Sequence, residues 1–318
     1  VLPEDSMTHD KVKLSAQLQQ TIQTETIEAP WGEGMDRQVT VTLQNPIQEP
    51  IASKLTWNVP PGWHVDPLEL PFNLQPGTPA TTAAFHVWAD NPAAVRFPVP
   101  TALATMNVSS LGNPITVSRP LDLVPAINAP FATEPVVPDG DLKEWTQTTL
   151  IPLQYAAGYD VNNTEDLKAG MRLMWSDGQI YMAVEVEDNE FHQPYSGDIV
   201  WSADSVECWL NDWEYSFSLT SQGPQVFLGK SPEHEFETVT QAVKLGVKQE
   251  GRRTVYEAAF AAADLAPLQP QAGASYRFSL VVNDLDPATP GNQRHIAELT
   301  PGATEHFRCQ KIMVHLVK

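Results

Sequence analysis

Three tryptophans and a glutamate stand close together in this sequence: Trp201, Glu207, Trp209 and Trp213. Indole rings offer flat apolar faces, and a carboxylate offers paired hydrogen-bond acceptors. Together they suit a ligand with apolar C–H faces and a hydroxylated rim, which describes a sugar. Arg294 adds a planar donor to the same set. His192, in the loop Phe191-His192-Gln193-Pro194, adds an imidazole whose first use is hydrogen bonding within the chain and whose second is contact with a ligand. A separate group is acidic. Asp139, Asp141, Asp188 and Asp284 fall at turn-like positions, and hard oxygen donors of this kind suit calcium. None of them forms a self-contained D-x-D-x-D-G loop, so each also reads as an ordinary turn residue.

The elements that must hold these residues are strands. Residues 171–188 read as a hairpin, MRLMW and QIYMAVEVED around the turn Ser176-Asp177-Gly178. Its second strand places Ile180, Met182, Val184 and Val186 on the core face and Tyr181, Ala183, Glu185 and Glu187 on the other. Residues 205–210 turn Val206, Cys208 and Leu210 inward and leave Glu207 and Trp209 on the opposite face. Earlier in the chain, period-2 segments at 38–43, 55–57, 84–88, 103–108 and 115–117 alternate with Pro, Gly and Asn, as in an immunoglobulin-like sandwich. Trp57 and Trp63 read as core of that sandwich. Prolines (28) outnumber glycines (17), which favours short strands and loops, and no window reads as a long amphipathic helix. The expected class is all-β: an N-terminal extension over residues 1–20, a sandwich over 21–128 and a second over 129–318. The proline-rich stretch 119–138 reads as the linker between them.

With 318 residues the chain is long enough for two cores. Its net charge of −20 argues against nucleic acid and anionic membrane partners, and both halves share it: 6 basic against 12 acidic residues up to position 128, then 13 against 27. No apolar run is long enough to cross a membrane, and a leader, if the protein is exported, is already removed. Two cysteines, Cys208 and Cys309, are either buried thiols or one bridge between strands. G-x-S-x-G, H-E-x-x-H and glycine-rich phosphate loops are all missing, so catalysis is not expected.

Two resemblances sharpen these expectations. The run LTWNVPPGWHVDPLELPFNLQPG, with Pro60-Pro61-Gly62-Trp63 and Leu74-Gln75-Pro76-Gly77 at its turns, is similar to Ig-like accessory domains of glycan-active bacterial enzymes. The series DGDLKEW, LMWSDGQIYMAVEVED, His192, Trp201-Ser202-Ala203-Asp204-Ser205-Val206-Glu207, VYEAAFAAADL and YRFSLVVNDLD resembles family 9 carbohydrate-binding modules over about residues 134–318. That resemblance implies a jelly-roll-like sandwich that binds oligo- or polysaccharide, often at chain ends and between two tryptophans, with calcium as a structural element. Trp201 becomes one stacking ring and Glu207 a carboxylate bonding hydroxyls. No tryptophan follows Trp213 to supply the second ring, and His306 and Phe307 are the candidate substitutes. The implied setting is secreted, periplasmic or cell-surface, beside a catalytic domain or partner enzyme. Two other classes stand beside this one: a structural or adhesion spacer without sugar binding, and a haem-binding sandwich using Met174 or Met182 with a histidine. Against the latter, Met182 falls on the core-facing set of its strand.

Overall fold

Alternation along the strand Asp36–Leu43 puts Val39, Val41 and Leu43 on one side, and all three are buried. The same rule buries Phe85 and Val87 from the strand Thr81–Ala89, and Leu55 and Trp57 from Ile51–Asn58. The structure is a computed structural model of the chain, and it describes residues 3–31, 35–90, 98–157, 166–232, 238–287, 294–303 and 311–318. These form two compact units, Val1–Pro125 and Ala126–Lys318.

In the first unit two antiparallel four-stranded sheets share one core. One runs Ile22–Thr24, Asp36–Leu43, Thr81–Ala89, Trp63–Asp66, and the other Glu69–Leu74, Ile51–Asn58, Thr101–Met106, Ile115–Pro120. Trp57 meets Phe85 edge to face at 5.4 Å between ring centroids, and Trp63 is buried, so both tryptophans are core. The expected N-terminal extension is instead a 16-residue helix, Pro3–Leu18. Proline is tolerated in a first helical turn, where its missing N–H costs nothing. Leu14 and Leu18, four residues apart, turn one face of that helix onto the core.

The proline-rich stretch 119–138 spans the division between the units at 125/126. It contains the strand Asp122–Pro130, whose residues 126–130 pair in parallel with residues 313–317. Pro120 and Pro130 are the last residues of their strands, where a missing N–H interrupts no ladder.

The second unit is also a sandwich. One sheet runs Ile151–Pro152, Leu167–Ser176, Gln179–Asp188, Arg253–Ala261, Lys244–Glu250. The other contains, in order, Thr238–Thr240, Gly223–Lys230, Trp213–Thr220, Ser205–Leu210, Ser275–Asp284 and Ile312–Val317. The strand Ser275–Asp284 divides its far edge, pairing through residues 275–278 with Ile312–Val317 and through residues 281–284 with His295–Glu298. Ile180, Met182 and Val184 are buried on the inner face of the first sheet, as the alternation requires, and Phe217, Cys208 and Leu210 are buried on the inner face of the second. Tyr181 and Ala183, read from the sequence as outward, are buried too. Ala132, Val136, Leu142 and Trp145 cover that outer face.

A buried carboxylate fastens this cover. Glu257 accepts hydrogen bonds from the backbone N–H of Asp139 (3.0 Å) and Gly140 (2.6 Å) and from Trp145 Nε1 (2.5 Å). Gly140 adopts a φ of 81°, and a Cβ there would lie 2.7 Å from the Lys248 backbone nitrogen. Burial pushes the Glu257 carboxyl above its ordinary range, while the three donors pull it back. Replacing Glu257 by Ala is expected to destabilise the second unit by about 2–4 kcal/mol in denaturant unfolding, since it strands buried donors. Glu257→Gln, which keeps one acceptor, should recover part of that loss. An unchanged midpoint in Glu257→Ala would show that other contacts hold the cover.

Candidate functional site

The short 3-10 helix Gly197–Ser202 presents Trp201. Gly197 starts it at a φ of 76°, and its N–H is held by Gln225 Oε1 at 2.7 Å. Val200 points inward and is fully buried, while Gln193 Nε2 donates to the carbonyls of Val200 and Asp204, each at 2.9 Å. With the inner residue pinned, its neighbours face outward: Ile199 is 45% exposed and Trp201 43%. The guanidinium carbon of Arg294 lies 4.8 Å from the Trp201 ring centroid, and its Nη1 donates to the Trp201 carbonyl. Burial lowers the Arg294 pKa from its ordinary value, and the nearby charge of Glu207 offsets part of that.

Glu207 stands on the strand Ser205–Leu210 and is 7% exposed. Its Oε1 accepts from Asn283 Nδ2 at 2.7 Å, and the same amide reaches Ser205 Oγ at 3.1 Å. The register pairs Ser205 with Asn283 and Glu207 with both Val281 and Ser216, so these residues line one sheet face. That face is polar and closed: Ser205, Ser216, Ser218, Ser279 and Asn283 are all buried, and Asn283 Oδ1 has no protein partner among the described residues. Trp201, Arg294, Glu207 and Asn283 thus form one constellation.

Trp209 and Trp213 separate from it. Trp209 shares the face of Glu207 but is 5% exposed, packed with Val281, Ile296 and Ala303. It fills the apolar end of that face and is no open platform. Trp213 faces the other way. It lies opposite Leu210, stacks on Tyr215 at 6.0 Å and donates to the Ala266 carbonyl at 3.3 Å, so it closes the core at a hairpin turn. His192 is held through its backbone, whose N–H donates to Asp204 Oδ2 at 2.6 Å and whose carbonyl accepts from the Asp204 N–H at 3.2 Å. Met182 is fully buried, and Met174 lies in the core cluster with Trp145. Cys208 is a buried free thiol whose pKa burial raises. Cys309, His306 and Phe307 lie outside the described residues.

The acidic set also divides. Asp139 and Asp141 are exposed turn residues: Asp139 Oδ1 accepts the Asp141 N–H at 2.9 Å, and its Oδ2 pairs with Lys143 at 3.0 Å. They have no part in a cation site with the other two. Asp188 and Asp284 do meet, from opposite sheets, and they meet Asp286: the oxygens of these three lie within 4.8 Å of one another. A second triad, also within 4.8 Å, joins Asp284 to Asp166 and His295. Asp204 stands beside them, accepting the backbone N–H of Leu285 at 2.9 Å and that of His192.

This junction is electrostatically costly as it stands. Among the described residues, both oxygens of Asp284 and one of Asp286 are buried without a hydrogen-bond partner. Burial, with repulsion from Asp188, Asp286 and Asp166, pushes Asp284 up to about 8. Burial and the charges of Asp188 and Asp284 push Asp204 up to about 9, against the pull of its two backbone donors. The donor set tests well against a hard cation. Oxygens each ~2.4 Å from a calcium ion can be at most ~4.8 Å apart, and Ca²⁺ prefers carboxylate ligands. Asn283, Asp166, Asp204, Asp286 and His295 were not singled out from sequence. Asp204 sits inside the W-x-x-D-S-V-E motif, and Asn283 and Asp286 flank Asp284, so adjacency was the available signal.

Without a bound cation, folded Asp284 and Asp204 retain protons that the unfolded chain releases near pH 4. Stability in a chelator should therefore fall as pH rises from about 4 towards 8–9. Thermal unfolding of the intact chain in EDTA across that range reads this directly. A melting temperature that rises over the whole window would contradict these shifts.

Comparison with known proteins bears on the same region. The carbohydrate family 9 binding domain-like family matches residues 139–303. Among solved structures, the chain is similar to a family 9 carbohydrate-binding module from Caldicellulosiruptor kristjanssonii in complex with cellotriose, at 16% identity and a TM-score of 0.45, covering 60% of this chain and 93% of that one. It is similar to such a module from the same organism in complex with glucose, at 16% identity and a TM-score of 0.44, covering 60% and 95%. No curated protein sequence matches.

Proposed function

This chain, matched over just more than half its length, belongs to the carbohydrate family 9 binding domain-like family, and from that premise we propose that Trp201, Arg294, Glu207 and Asn283 form its sugar-binding surface. Carbohydrate binding without catalysis is the function that membership carries. The observation behind the proposed surface is the Arg294–Trp201 stack set beside the Glu207–Asn283 bond. The ring offers an apolar face to the C–H side of a sugar. The guanidinium offers directed donors to hydroxyls, and Glu207 and the Oδ1 of Asn283 add acceptors. Arg294 already covers one face of the Trp201 ring, so a sugar would use the other face, and the contact is expected to favour hydroxyl recognition over stacking between two rings.

A hard divalent cation, calcium by donor type, fits Asp188, Asp284 and Asp286. When bound it would neutralise charge there; the chain's own part is to bring two strand ends of opposite sheets within reach of one ion. Asp166 and His295 lie at its edge and keep a mutual bond at 2.8 Å. The module's proposed setting is outside the cytoplasm, beside a glycan-active enzyme, where polymeric sugar is met.

Calorimetric titration of the intact chain in calcium, with a panel of oligosaccharides that includes cellotriose and glucose, tests the surface. Trp201→Ala should weaken binding about tenfold or more, the scale of one aromatic contact plus the lost Arg294 partner. Trp213→Ala should leave affinity unchanged. No heat with any sugar, or equal losses in both variants, would move the protein to a structural or adhesion role.

A further inference from the structure

We propose that a cation at the Asp188–Asp284–Asp286 junction positions the sugar-contacting side chains, so that cation and sugar bind with positive linkage. This inference rests on the sugar surface proposed above. Its basis is a one-residue offset that occurs twice, once at the end of the strand Ser275–Asp284 and once where Arg294 leads into its partner strand His295–Glu298. Asn283, which bonds Glu207 at 2.7 Å, is followed by Asp284, which enters the junction. Arg294, which covers Trp201, is followed by His295, which bonds Asp166 at 2.8 Å. Asp284 and His295 are themselves cross-strand partners, with 3.9 Å between Oδ2 and Nδ1. Neighbouring residues on a strand point to opposite faces, so each strand end turns one side chain to sugar and the next to the ion.

A third link closes the set. Asp204, between Trp201 and Glu207 in the chain, accepts the N–H of Leu285 from one segment and that of His192 from another. All segments that carry sugar contacts are therefore tied at or beside the junction. Independent of the number of acids, Asp284 points to a ligand there: its side chain is 2% exposed and neither oxygen has a hydrogen-bond partner among the described residues. With the ion absent, the facing carboxylates repel and the strand ends that carry Asn283 and Arg294 lose their common anchor. With it present, both are held where Glu207 and Trp201 need them. Since linkage is reciprocal, sugar must then tighten the ion by the same factor.

The test titrates calcium into the chelated intact chain with and without a saturating amount of the tightest-binding oligosaccharide of the panel, and titrates that sugar with and without calcium. Both affinities should rise by the same factor, about fivefold or more. Asp188→Asn, which touches no sugar contact, should hold sugar affinity in calcium at the level of the chelated protein; Asp286→Asn replaces it if Asp188→Asn fails to fold. A sugar-free readout is acrylamide quenching of Trp201, taken as the difference between the native chain and Trp201→Phe. Calcium should reduce that quenching. Sugar affinity identical in calcium and chelator overturns the linkage while leaving the sugar surface standing. If no sugar of the panel binds, quenching alone decides, and indifference to calcium overturns the proposal.

Discussion

Mutual repulsion among buried carboxylates is the constraint around which the second unit is organised. Asp188 arrives on one sheet and Asp284 on the other, with Asp286, Asp204 and Asp166 nearby, so the edge of the sandwich brings like charges together where water is scarce. Charges so placed are tolerated when protonated, hydrogen-bonded or bound to a cation. Asp204 takes the second course through two backbone donors, and Asp166 does so through Asn189 and His295. Asp284 has no hydrogen-bond donor among the described residues, which is why the cation is proposed there.

In the same region the proposed sugar surface is held in place by packing and hydrogen bonds. Trp201 stays exposed because Val200, its neighbour, is the residue that anchors the short helix. Glu207 is kept in one orientation by Asn283 across the ladder. On the far side of the first sheet Glu257 performs a purely architectural task, gathering three donors from the segment that covers Tyr181 and Ala183. Two buried glutamates thus divide the work: one faces the proposed ligand surface and one closes the fold.

Period-2 alternation made the strands and most of the core legible in sequence, since Val39, Val41, Ile180, Met182 and Val184 each fall on the face that alternation assigns. It could not tell a half-exposed strand from one covered on both sides, so Tyr181 and Trp209 fell on the non-core face although segments distant in sequence bury them. The helix Pro3–Leu18 was missed because the apolar residues its described part turns to the core, Leu14 and Leu18, are a sparse pair within polar sequence. Trp201, Glu207 and Arg294, legible as candidate contacts in sequence, lie together in the fold, while Trp213 turns to the opposite face of its sheet. Asp188 and Asp284 were legible as acids at strand ends. Their convergence with Asp286, and the exclusion of Asp139 and Asp141, depends on which strands become neighbours, and local spacing does not encode that.

The central claim is that the junction around Asp284 is built for a cation. Calorimetric titration of calcium into the chelated intact chain, compared with Asp284→Asn, tests it most directly. Saturable binding that the substitution abolishes is the predicted result. An absence of binding, or a calcium isotherm unchanged by Asp284→Asn, would contradict the account.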